Sequence, residues 1–229
     1  MKRTLTAPLA AAILLAAALT GCSTGSTGST DTAAEPTPPT TADADAFPVT
    51  IEHALGETTI ESEPTRVATL GWTDHDHAVA LGVVPVGATK ITWGGNEGGS
   101  TDWFDAAIEE AGAEAPVRYD DADGAPIDEV AELAPDLILA TNSGVTEAEY
   151  AKLSKIAPVV AYPENPWTTD WQTSLEMVGR ALGRTGLADE VAADTEATIE
   201  QARADNPELQ GAELIYCYLA ATDLSMIGM

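Results

Sequence analysis

Between positions 66 and 162 short β-type runs alternate with helical ones, and that alternation restricts the fold more than any other feature of the chain. Residues 66–70 read as a strand entering a turn at Gly71, and 74–81 as a short helix stopped by Gly82. Residues 83–86 read as a second strand, held to an edge or a terminus because Pro85 has no N–H for a ladder. Thr101 or Asp102 caps a helix running to Ala111, and 127–133 form another that ends before Pro135. Residues 137–140 are a compact apolar strand, Thr146 with Glu149 is a capping box opening a helix to about Ile156, and 159–162 are a final strand. Residues 49–53 and 58–61, bracketing Leu55, Gly56 and Glu57, form a hairpin ahead of these. The expectation is an α/β lobe with a mostly parallel sheet flanked by helices.

Two helical stretches follow at 174–182 and 188–204, separated by Gly183 and Gly186. The second carries Val191, Ala192, Thr195, Ile199 and Ala202 at helical spacing and would be about 26 Å long, enough to cross a whole lobe. After Pro207 a strand begins at 213–219, with too few residues left to Met229 for a second domain of roughly 50 residues or more. The expected organisation is therefore an N-terminal lobe at 47–167, a helical region at 168–206, and at 207–229 the start of an incomplete second α/β lobe in a truncated chain. The rival is that the last strand joins the first sheet.

The N-terminal segment adds a compartment. Lys2 and Arg3 precede an apolar run at 5–19, too short to span a bilayer comfortably, and Leu19, Thr20, Gly21 and Cys22 close it. This is the pattern of a lipoprotein signal peptide at 1–21, cut so that Cys22 becomes the lipidated first residue. Residues 22–46 are Ser, Thr, Gly, Pro, Asp and Ala with few other types, and read as a disordered tether. Cys217, the second cysteine, is then unpaired, and its apolar neighbours make it a buried structural thiol. A formal charge of −27 removes nucleic acid from the candidate partners and leaves membrane attachment to the lipid on Cys22 rather than to a basic patch.

Catalytic patterns are missing. The chain has no GxSxG elbow, no GxGxxG after a strand and no GxxxxGK[ST] loop, and GVVPVGATK at 82–90 has Ala where a phosphate loop needs Lys. Asp74, His75, Asp76 and His77 have metal-ligating side chains, but neighbours on a helix diverge by about 100°, so at most two could share an ion, and Asp74 and Asp76 are expected to serve a helix N-terminus, where negative charge is favourable. The tryptophans are the stronger signal. Trp72 follows the strand at 66–70, Trp93 and Trp103 flank WGGNEGGSTDW, and Trp167 and Trp171 follow the strand ending near Tyr162. Ligands of open α/β sheets collect beyond the carboxyl ends of the strands, and aromatic faces there suit a large, partly apolar ligand. Trp103 and Trp171 read equally as first-turn helix residues packed on the sheet. Asn142, Ser143 and Gly144 are either a hydrogen-bonding loop at the same end or a plain turn before the capping box.

With the lipobox, the tether, RVATLGWTDHDHAVALGVVPVGAT at 66–89, IDEVAELAPDLILATNSG at 127–144 and YAKLSKIAPVVAY at 150–162, the chain resembles the ferric-siderophore substrate-binding lipoproteins of bacterial ABC importers. The resemblance covers roughly 47–229. It implies two lobes joined by a rigid helix, here 188–204, with the ligand between them. It also implies that Trp72, Trp93, Trp103, Asn142, Ser143 and Trp167 line the N-lobe wall, and that Glu129 docks onto a permease arginine. The ligand implied is a ferric siderophore of hydroxamate type, with no cofactor, no resident metal and no catalysis, held by a monomer on the outer face of the cytoplasmic membrane. Haem-, cobalamin- or metal-ion-binding relatives share the architecture, and a non-transporting surface interaction domain is the alternative from another class. The departure from the family is the second lobe, with its docking glutamate and the basic and aromatic residues that grip the chelate.

Overall fold

A computed structural model describes residues 41–212 and the backbone of 216–219 and 224–227. Cys22 and residues 1–40 lie outside the described residues, as do 213–215 and the Cys217 side chain.

Strands β1 (Val49–His53) and β2 (Gly56–Ile60) form an antiparallel hairpin in which His53 pairs with Gly56. The second strand starts two residues before the sequence expectation because Gly56, at φ +133°, closes the turn and enters the ladder at once. Strands β3 (Val67–Thr69), β4 (Gly87–Thr89), β5 (Val117–Tyr119), β6 (Leu137–Ala140) and β7 (Val159–Ala161) form a parallel sheet in the order β5-β4-β3-β6-β7. The sheet is mostly buried on both faces, since alternate residues of its central strands enter different cores. Val67, Leu137 and Leu139 join Ile51, Ile60, Leu175 and Val178 on one side, while Ala68, Ile138 and Ala140 join Tyr119, Val130 and Leu153 on the other.

Two strands differ from the sequence expectation. The strand placed at 83–86 is Gly87–Thr89 instead, and it is internal, between β3 and β5. An internal strand needs its N–H groups on both sides, so the ladder begins only past Pro85, with Val86 N donating to Val67 O at 2.8 Å. Glycine is required at 87, where a Cβ would stand 2.3 Å from Leu133 Cδ1 and 2.7 Å from Tyr119 Cε1. Strand β5 has no apolar run to announce it. It is three residues long, only Tyr119 is buried, and Arg118 sits at its centre.

The helices are α1 (Asp74–Ala80), α2 (Asp102–Glu110), α3 (Ile127–Glu132), α4 (Glu147–Leu153), α5 (Trp171–Ala181) and α6 (Thr185–Asp205). Both halves of the Thr146–Glu149 capping box are formed, and Thr101 caps α2 by accepting from Phe104 N. Helix α5 begins three residues earlier than read, because Asp170 caps it, and Trp171 packs partly buried on the first core. Helix α6, with 21 residues, is about 31 Å long. Leu187, Ala188, Val191 and Ala192 dock it on the lobe, while Ile199 is 39% exposed and Ala202 faces solvent. Beyond a 3-10 turn at Pro207–Leu209, β8 (Tyr216–Leu219) pairs antiparallel with β9 (Leu224–Ile227) in a separate sheet and does not join the first one.

Residues 42–46, assigned to the tether by composition, are held against the α5–α6 junction. Asp43 N donates to Gly183 O at 2.6 Å and Gly186 N donates to Asp43 Oδ2 at 3.3 Å. Arg184 provides α6 with no side-chain cap, so a carboxylate brought from elsewhere satisfies one of its free amides.

Candidate functional site

The loops leaving β3, β4, β5, β6 and β7 gather at the carboxyl edge of the sheet, and those after β3, β4 and β7 carry Trp72, Trp93 and Trp167. Backbone bonds set two of them: Trp72 N donates to Asn142 O at 2.9 Å and Trp167 N donates to Ser143 O at 3.1 Å. Trp167 lies in the left-handed region at φ +61°, a costly conformation that turns its indole onto the loop after β6. The space for it comes from Gly144, where a Cβ would stand 2.4 Å from Trp167 Nε1. Trp72 and Trp93 meet edge to face, with centroids 6.4 Å apart. The three indoles are about half exposed, at 48%, 55% and 51% for Trp72, Trp93 and Trp167.

Two cavities open along this edge. One, of about 180 Å³, is lined by Leu70, Asp121, Ser143, Gly144, Val145 and Trp167 among others; the second, of about 230 Å³, lies against Trp72, Lys90, Ile91, Thr92, Asp121 and Trp167. Of the residues expected from sequence, Trp72, Ser143 and Trp167 line these cavities, and Trp93 joins through Trp72. Ser143 contributes its surface rather than a free hydroxyl, because Oγ donates to Ala140 O at 2.9 Å. Asn142 holds Trp72 through its carbonyl, and its buried Oδ1 has no hydrogen-bond partner. Trp103 is 55% exposed on α2 and lines neither cavity. Glu129 is exposed in the first turn of α3, outside the cavity linings. Lys90 and Asp121 escape sequence reasoning, since they follow the two strands that were misplaced or missed.

Beneath the cleft, Asp74 ties the floor together. Its carboxylate, fully buried, accepts from Gly71 N at 3.1 Å, from Thr141 N at 3.0 Å and from Thr141 Oγ1, so the loops after β3 and β6 share one anchor. Burial raises its pKa to about 6 against the pull of these hydrogen bonds. His75 is equally buried, edge-on to Phe104 with centroids 5.1 Å apart, and neither ring nitrogen has a hydrogen-bond partner. Burial, followed by the charges of Arg118 and His77, lowers its pKa to about 3. His75 Nε2 is 3.6 Å from Asp76 Oδ1, beyond hydrogen-bond range. Among the described residues no three His, Cys, Asp or Glu side chains are gathered around a point that would hold a metal ion.

A parallel sheet covered on both faces, leading into a long helix and carrying a tryptophan-lined cleft at its carboxyl edge, defines one lobe of a solute-binding protein. The periplasmic binding protein family matches residues 67–227, and the chain belongs to it. It is similar to the "Probable siderophore-binding lipoprotein YfiY" of Bacillus subtilis (strain 168), at 30% identity over 146 residues that make up 63% of this chain and 42% of that one. Among solved structures it is similar to the iron uptake ABC transporter substrate-binding protein PiaA of Streptococcus pneumoniae TIGR4 in complex with ferrichrome, at 37% identity and a TM-score of 0.71 over 76% of this chain and 59% of that one. A periplasmic solute binding protein of Mycobacterium smegmatis matches at 31% identity and a TM-score of 0.69, covering 78% of this chain and 62% of that one. The chain thus spans less than two thirds of the length of each of these relatives.

Proposed function

We propose that this protein is the lipid-anchored substrate-binding component of an ABC importer, capturing a ferric siderophore of hydroxamate type and handing it to the permease without making or breaking a bond. The observation that carries this reading is the cleft itself, with half-exposed indoles on loops past the carboxyl ends of parallel strands. Broad aromatic faces supply contact area without demanding a particular hydrogen-bond pattern, which suits a bulky chelate. The similarity to a structure containing ferrichrome, a trihydroxamate, supports the ligand class. Each cavity is smaller than the roughly 300 Å³ at the low end of ligand pockets, as expected of one wall of a site closed from a second side. On this reading Cys22 carries the lipid, the protein works as a monomer on the outer face of the cytoplasmic membrane, and α6 is the rigid link between lobes.

The test is a titration of the chain carrying Cys22→Ala with ferric hydroxamates, ferric catecholates, haem, cobalamin and zinc, followed by tryptophan fluorescence corrected for absorbance. Saturable quenching by a ferric hydroxamate is expected, and Trp167→Ala should weaken it at least about tenfold, near 1.4 kcal/mol. Quenching by haem, cobalamin or zinc in place of any ferric chelate would overturn the reading.

Docking makes a separate prediction. Glu129 is exposed on α3 and outside the cavity linings, so Glu129→Ala should leave chelate affinity within about twofold while reducing uptake in cells. A loss of chelate affinity would place Glu129 in the binding site and refute the docking role.

A further inference from the structure

Asp121 and Trp167 line both cavities, so a ligand filling the cleft lies against this carboxylate and this indole wherever it sits. The carboxylate is set by the loop after β5, where Asp120 Oδ1 accepts from Ala122 N at 2.9 Å and Gly124 N donates to Asp121 O at 3.0 Å. Among the described residues Asp121 is in no ion pair. Burial raises its pKa, against a hydrogen bond from its own backbone N–H that lowers it, and the Asp120 charge adds to the rise.

Of the cations nearby, one is committed elsewhere and the other reaches only one of the two cavities. Arg118 is turned into the lobe, donating to Thr89 O at 3.0 Å and Ser100 Oγ at 2.6 Å with its guanidinium 4.6 Å above the Phe104 ring. Lys90 is exposed and lines only the second cavity. Glu149, at the first cavity, adds a further negative charge, although its oxygens are committed to Ala125 N, Thr146 N and Thr146 Oγ1. The wall therefore presents two carboxylates against one ammonium, on a chain of net charge −27.

Ferric chelates differ in the charge they would bring there. Three hydroxamates neutralise iron(III), a pendant ammonium on such a ligand makes the complex cationic, and three catecholates leave it strongly anionic. We propose that Asp121 selects among ferric chelates by charge, favouring a cationic complex over a neutral one and a neutral one over an anionic one. This rests on the reading that the cleft holds a ferric chelate. A carboxylate partly shielded from water attracts a cation in contact with it and repels an anion, so discrimination arises from repulsion as well as attraction.

The test compares two ligands with the same iron-binding core: ferrioxamine B, which carries a free ammonium, and its N-acetyl derivative, which does not. Ferrichrome serves as a neutral chelate of different shape. Each is titrated into the full chain carrying Cys22→Ala, with and without Asp121→Asn, at about pH 8, above the carboxylate range. Ferrioxamine B should bind about three- to tenfold more tightly than the acetylated form, a preference that shrinks with added salt and disappears in Asp121→Asn while acetyl-ferrioxamine affinity stays within about twofold. An unchanged ratio in Asp121→Asn, or equal loss for both ligands, would overturn the proposal. Binding of ferrichrome alone would overturn the charge selection and leave the siderophore reading standing. Binding of none of the three to a chain folded by circular dichroism would overturn both.

Discussion

Asp74→Ala is expected to lower the free energy of unfolding by about 4 kcal/mol at neutral pH, whereas Asp74→Asn should cost less than about 1 kcal/mol. Alanine leaves Gly71 N–H and Thr141 N–H buried without an acceptor, at about 1–3 kcal/mol each, and opens a void under the cleft. Relief of the buried charge returns part of this. Asparagine keeps the acceptor for both amides, and its NH2 can donate to Thr141 Oγ1, whose own proton can turn to Ser174 Oγ at 2.5 Å. It also removes a charge that burial disfavours, so the two effects nearly balance. Urea unfolding followed by tryptophan fluorescence decides it. A small effect of alanine would mean that the loops after β3 and β6 hold their positions without this anchor.

His75→Phe should change the response of stability to pH. The folded-state pKa of His75, about 3, lies below its ordinary 6.5, so the unfolded chain takes up the proton first. The stability it permits is complete above about pH 6.5 and is lost as pH falls towards 3. Asp74 runs the opposite way. Its folded-state pKa of about 6 lies above 3.8, so the folded chain keeps the proton longer and stability declines as pH rises from about 4 to about 6. Over that interval the two groups offset each other by one proton each, and wild type should show little net dependence from this pair. Phenylalanine removes the histidine half, keeps an aromatic ring beside Phe104, and leaves no unpaired ring nitrogen. Relative to wild type, the variant should gain about 2 kcal/mol more at pH 5 than at pH 7, from about 1.4 kcal/mol per pH unit below pH 6.5. Unfolding curves at the two pH values measure it, and an identical shift at both would show that His75 titrates normally.

Much of the frame was readable along the chain, because its signals are local. The Thr146–Glu149 box spans four residues, and the apolar runs at Leu137–Ala140 and Val159–Ala161 need no distant partner to be recognised. The errors fall where the partner decides. Pro85 is compatible with an edge strand, but the segment lies between β3 and β5, so pairing begins past the proline at Gly87–Thr89. Val117–Tyr119 carries an arginine at its centre, tolerable only because Thr89 O, Ser100 Oγ and the Phe104 ring receive it. Missing that strand concealed Asp121, which stands just beyond its end.

The tryptophans divide along the same line. That Trp72, Trp93 and Trp167 sit on loops past strand ends followed from their positions in the chain. Their meeting required the bonds from Trp72 N to Asn142 O and from Trp167 N to Ser143 O, together with an absent side chain at Gly144. Trp103 has the same composition signal and lies outside the cavities, because the start of α2 directs it elsewhere. By itself the sequence determined the class of fold, the alternation that builds it and the long helix that leaves it, since hydrophobic period, caps and turns act over a few residues. Only the tertiary structure decided which strands are internal, which carboxylate lines the cleft and which is buried as an anchor, because these depend on groups that pairing and packing bring together from distant parts of the chain.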